Sequence, residues 1–142
     1  MPLSATSIGA AIARVCRREP VRLAYLFGSY AWGEPDEESD VDIAVLADAK
    51  LSHDARWALR LRLIGACAEA LRVPSDKLDV VVLQDVPVLL RSNVILGIPV
   101  FQRSRSERVL FELRTEQEWD DERYYLEREN AITRERILSQ TS

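Results

Sequence analysis

Apolar positions recur along this chain in two rhythms, and the changes of rhythm mark its elements. Residues 5–18 keep Ile8, Ile12 and Val15 on one face, with Ser4 or Ser7 as a cap and Pro20 as a stop, which predicts a helix. Val21–Phe27 is a short apolar run that predicts a buried strand, and Gly28 after it allows an unusual turn. Residues 40–46 alternate and predict a second strand. Residues 52–72 predict the clearest helix, with Ser52 as cap and Trp57, Leu61, Ile64, Ala68 and Leu71 at helical spacing. Residues 77–83 predict a third strand. Residues 87–96 suit a short helix, with Pro87 near its start and Gly97 past its end. Ile98–Gln102 is short, apolar and β-branched, as an edge strand would be.

From Ser104 the pattern changes. The segment is dense in charge and has no glycine or proline, so it predicts one long helix or two shorter ones. Val109, Leu110, Leu113, Trp119, Tyr124, Tyr125, Ile132 and Ile137 supply its apolar positions, and the stripe breaks over residues 115–122. Helices alternating with short strands give an α/β (α+β) domain around a small mixed β-sheet flanked by helices, with a long C-terminal helical segment. The 142 residues fit one domain, residues 1–142, with a core over about 1–103 and a helical extension over about 104–140.

Composition narrows the function. Nearly half the residues are hydrophobic, so the chain is globular, and its net charge of −4 argues against a general nucleic-acid coat. Cys16 and Cys67 have no metal-ligand spacing and read as buried small apolar residues in a reducing compartment. The N-terminus lacks the pattern of a signal peptide, and no segment reaches the roughly 18 uninterrupted apolar residues of a membrane span. The expectation is a cytoplasmic protein with no membrane partner and no direct nucleic-acid binding.

The chemistry gathers in one stretch, GSYAWGEPDEESDVDIAVL. Asp40 and Asp42 lie two apart on a strand, so both side chains leave one face while Val41, Ile43 and Val45 point into the core. Paired carboxylates repel unless a divalent cation joins them, and Mg²⁺ takes one or two carboxylates plus substrate phosphates. Gly28 lets a backbone approach phosphate oxygens, and Ser29 adds a hydroxyl and an N–H. Asp79, at the start of the third strand, is a candidate third acid, either for a second metal or to accept a proton from an attacking hydroxyl. His53 reads as a first-turn helix residue rather than a base. Glu34, Asp36, Glu37 and Glu38 read as a solvated, mobile loop rather than as an enlargement of the metal site, and such a loop can also choose the acceptor or touch a partner.

The pattern GSX10DXD, with Gly33 and Ser39 in place, resembles the DNA polymerase β-like nucleotidyltransferase superfamily, and the short length resembles its minimal nucleotidyltransferases, the MNT-type antitoxins of HEPN/MNT systems. The resemblance runs over about residues 21–101. It implies that Asp40, Asp42 and Asp79 hold two Mg²⁺ ions and carry catalysis. It implies that Gly28, Ser29 and Ser39 bind the triphosphate of ATP. It implies that AMP passes from ATP to a tyrosine of a partner HEPN ribonuclease toxin, which the chain silences as antitoxin. One departure stands out: Trp32 lies where these proteins often carry arginine, and it can pack the loop or stack on a base instead of contacting phosphate. Two alternatives stay open. One is neutralisation by binding alone, with Trp119, Tyr124 and Tyr125 gripping the partner. The other is a small-molecule or nucleic-acid acceptor.

Overall fold

The computed structural model describes residues 4–33, 35–36 and 38–140. Helix α1 (Ala5–Cys16) begins where Ser4 and Ser7 exchange side-chain and backbone hydrogen bonds, a reciprocal cap that contributes about 1 kcal/mol. Strand β1 (Val21–Phe27) then runs to Gly28, and a single helical turn, α2 (Ser29–Trp32), follows. Strand β2 (Val41–Ala47) begins one residue later than the alternation predicts, so Asp40 stands just ahead of it. Helix α3 (His53–Leu71) is capped by the Ser52 hydroxyl, which accepts from the Ala55 N–H. Strand β3 (Leu78–Val82), helix α4 (Val88–Val94), strand β4 (Ile98–Gln102) and helix α5 (Arg105–Gln140) complete the chain.

The sheet has four strands in the order β3-β2-β1-β4. β1 pairs antiparallel with both β2 and β4, and β2 pairs parallel with β3. β4 is an edge strand, as its sequence predicts. The parallel pair needs a crossover of a dozen residues or more, and α3 supplies it.

Both faces of the sheet are covered. On one, Ile8 and Ile12 of α1 and Leu59 and Leu63 of α3 pack on Leu26, Ile43, Val45 and Val80. On the other, Leu23, Tyr25 and Ala44 lie under Leu83, Val94 and Phe111. Two covered faces explain why β1 reads as a continuous apolar run and not as an alternation.

The predicted stripe of α3 is corrected. Its buried face is Leu59, Leu63, Cys67, Ala68 and Leu71, whereas Trp57 and Leu61 are 55% and 52% exposed. This helix carries apolar residues on every side, so spacing alone selected the wrong row at its N-terminal half. Trp57 lies instead under the Arg60 guanidinium, 5.2 Å from the ring centroid.

The charge-dense C-terminal segment is one helix, α5, about 54 Å long at 1.5 Å per residue. Its first turns are tied to the body. Arg22 clasps Glu107 through two nitrogens, the closer pair at 2.7 Å, and the buried Tyr25 hydroxyl donates to Glu112 at 3.0 Å. Further on, Arg91 of α4 reaches Glu118 at 2.7 Å. Residues 120–140 are all exposed, including Tyr124, Tyr125, Ile132 and Ile137. Among the described residues, no helix is long and apolar enough to cross a membrane.

Candidate active site

Register brings the predicted acids together at one end of the sheet. Phe27 at the end of β1 pairs with Asp42 on β2, and Asp42 pairs with Asp79 on β3. Adjacent strands lie roughly 4.8 Å apart, so Asp42 stands between the end of β1 and a second carboxylate. Val41, Ile43, Leu78 and Val80 anchor these two strand ends in the core, at 7% exposure or less. Asp42 is half-buried, while Asp40 and Asp79 are exposed at its sides.

Gly28 closes the corner. Its φ of 72° and ψ of −151° lie in a region that side chains avoid. A Cβ there would overlap the Asp42 carboxylate and stand 3.0 Å from its Cγ. Only glycine lets the chain turn this closely over the acid, which a lone Gly-Ser in sequence does not reveal.

Electrostatics follow from this crowding. The Asp42 carboxyl is pushed above its ordinary value, first by burial and then by the Asp79 and Asp40 charges. Three acids crowded at one corner repel, and a cation relieves that repulsion. Among the described residues, no three His, Cys, Asp or Glu side chains close around a point unaided. The all-oxygen donor set nevertheless fits Mg²⁺, which completes its octahedron with water and substrate phosphates.

The remaining predicted residues fall into place differently. Ser29 starts α2, is exposed, and its hydroxyl makes no side-chain hydrogen bond among the described residues. The Ser39 hydroxyl is already engaged: it accepts from the Asp36 N–H at 3.0 Å and donates to Asp36 Oδ1 at 3.1 Å. That exchange ties the Ser39 hydroxyl to the loop that leads into Asp40. Asp36 and Glu38 are exposed, consistent with a solvated loop, and Glu34 and Glu37 lie outside the described residues. His53 opens α3 with its side chain 73% exposed, as a first-turn residue should.

Sequence reasoning missed the corner between α4 and β4. Gly97 there packs so closely on β1 that a Cβ would come 2.5 Å from the Leu26 carbonyl oxygen. Trp32 reaches the same corner, its indole N–H donating to the Leu96 carbonyl at 3.2 Å. Gly97 at the end of a helix was the visible signal, but helix-end glycines rarely point to a site.

The profile of the family described as "Polymerase beta, Nucleotidyltransferase" matches residues 11–106. The chain is 35% identical over 95 residues to the protein adenylyltransferase MntA of Shewanella oneidensis, a stretch covering 67% of this chain and 63% of that protein. In structure it is similar to a toxin–antitoxin solved with AMP-PNP, with a TM-score of 0.65, 30% identity, and 87% of this chain and 94% of the other covered. A complex of tri-AMPylated Shewanella oneidensis HEPN toxin with MNT antitoxin is also similar, with a TM-score of 0.58, 27% identity, and 88% and 95% covered.

Proposed function

Because the chain belongs to the polymerase β nucleotidyltransferase family, we propose that it is a Mg²⁺-dependent protein adenylyltransferase that moves AMP from ATP to a tyrosine of a partner HEPN toxin and so acts as its antitoxin. The observation that carries this reading is Asp42, held between Asp40 and Asp79 and pressed against Gly28. The relatives support the rest: one is a protein adenylyltransferase, one was solved with an ATP analogue, and one holds an AMPylated toxin.

Asp40 and Asp42 would hold the metal, with Asp79 as third acid. Bound Mg²⁺ neutralises phosphate charge and lowers the pKa of the attacking hydroxyl. Gly28 and Ser29 bind the triphosphate through backbone N–H and hydroxyl. The tyrosine oxygen forms a bond to the α-phosphorus as the α–β bridging bond breaks. Pyrophosphate leaves with that electron pair, and the phenolic proton passes to Asp79 or to water. We assign this activity to the cytoplasm, where the unpaired buried thiols Cys16 and Cys67 are stable.

The test is the intact mass of a candidate HEPN partner protein, coexpressed with this chain as wild type or as Asp42→Ala. Added AMP with wild type alone is expected. An unmodified partner with wild type sinks the adenylyltransferase reading.

A second reading rests on α5, whose exposed Tyr124, Tyr125 and Leu126 could cover a partner without chemistry. It predicts full neutralisation by Asp42→Ala at equal dose.

A further inference from the structure

A single helical turn cannot hold itself in water, because nucleation costs more than its first hydrogen bonds return. α2 is such a turn. Its internal bonds run from the N–H groups of Ala31 and Trp32 to the Gly28 carbonyl, and from that of Gly33 to Ser29. It nevertheless carries Ser29 beside the Asp42 corner. External ties must fix it, and two are visible. Tyr30 packs partly buried against the core, and the Trp32 indole N–H donates to the Leu96 carbonyl, 64 residues away in sequence.

The second tie has an unusual character. Trp32 is 53% exposed, so core packing does not account for it. Its partner carbonyl belongs to a corner that is itself immobilised. The Gly97 N–H donates to the Val94 carbonyl at 2.9 Å, and a Cβ on Gly97 would come 3.3 Å from Phe27 Cβ. Phe27 is the residue before Gly28 and the register partner of Asp42. The indole therefore braces the exit of the phosphate turn against the corner that packs on Phe27, the strand end that leads into Gly28.

We propose that Trp32 is a positioning residue of the nucleotide site: its indole N–H, bonded to the Leu96 carbonyl, holds the turn that carries Ser29 in place over Asp42, and so sets how tightly the triphosphate binds rather than how fast AMP is transferred. This rests on reading the corner as an ATP site. The ring supplies no charge to the ligand, so its contribution is order, gained before ATP arrives.

The test compares wild type with Trp32→Phe, which keeps an aromatic ring and loses the donor, and with benzothienylalanine at position 32, which replaces only the N–H by sulfur. Three readouts are taken: affinity for AMP-PNP with Mg²⁺, the split of kcat and KM for ATP, and amide hydrogen exchange at residues 31–33. Losing one such bond should weaken AMP-PNP binding and raise KM by about 2- to 10-fold, with kcat little changed. Exchange at residues 31–33 should quicken while the melting temperature holds. Unchanged KM and exchange in both variants would overturn the proposal, as would a fall in kcat at constant KM. If wild type itself binds no AMP-PNP, the ATP reading fails and the binding half of the proposal falls with it. Exchange at residues 31–33 still decides the brace.

Discussion

The end of the sheet and the far half of α5 follow opposite rules. At the sheet's end the central acid is held from several sides. Asp42 is anchored by Val41 and Ile43 in the core, paired with Phe27 and Asp79 across the sheet, and overlain by a glycine that leaves no room for a methyl group. Along residues 120–140 every residue is exposed, and Arg123 pairs locally with Asp120. The first region has charge it would shed, three crowded carboxylates. The second has apolar surface it would cover. Each is incomplete in the way its proposed ligand completes: a cation with phosphates for the acids, a protein surface for the helix.

The sharpest way to break this contrast is Asp42→Ala. Transfer of AMP should fall on the order of 1000-fold, roughly 4 kcal/mol of barrier. The metal-free fold should lose nothing, because the deleted carboxylate is desolvated and repelled by Asp79 and Asp40. A melting temperature clearly below wild type would mean that the corner is structural. Gly28→Ala removes no chemical group, yet a methyl there overlaps the Asp42 carboxylate at a φ of 72°. It should cost about 2 kcal/mol or more in denaturant unfolding and lower AMP transfer as well.

Tyr25→Phe acts where the start of α5 joins the body, between the two regions. It deletes the hydroxyl that donates to Glu112, and leaves KM for ATP unchanged while lowering stability by about 1 kcal/mol. Ending the chain after Trp119 is gentler still. The body should unfold close to the wild-type denaturant midpoint, because residues 120–140 are all exposed, and only partner binding should weaken.

Acidity separates the sheet's end from the root of α5 by sign. Glu107 is held below its ordinary value by hydrogen bonding to Arg22, so its tie stabilises above the usual carboxylate range and is lost as pH falls through the folded value. Asp42 is shifted the other way, so its ionised form burdens the metal-free fold at neutral pH and the burden lifts as pH falls. Asp42→Asn should therefore be more stable than wild type at neutral pH, with the difference closing in acid. Thermal melts across pH, without Mg²⁺, check both signs.

Much of this was legible in the chain. Val21–Phe27 and Ile98–Gln102 are found with their predicted bounds, and the spacing of Asp40 and Asp42 put the chemistry on one stretch. Local rules suffice there: strand period, a Pro and Gly at the element ends, a capping serine. What was not legible depends on distant pairing. The rotated face of α3 was decided by which row meets the sheet. The second covered face of the sheet came from α4 and α5 folding back. The Leu96–Gly97 corner shows in sequence only as a helix-end glycine, because its significance arises when β4 pairs with β1 and the corner meets Trp32. Ser39 fits the family pattern, yet its hydroxyl is spent on Asp36 two residues from any strand interior.

The central claim is that the corner of Gly28, Asp42 and Asp79 binds a metal–nucleotide. Calorimetric titration of AMP-PNP, with and without Mg²⁺, into wild type and Asp42→Ala tests it without a partner protein. The account predicts binding by wild type only when Mg²⁺ is present, and none by Asp42→Ala. Equal binding by the two proteins, or binding by wild type that ignores Mg²⁺, would contradict it.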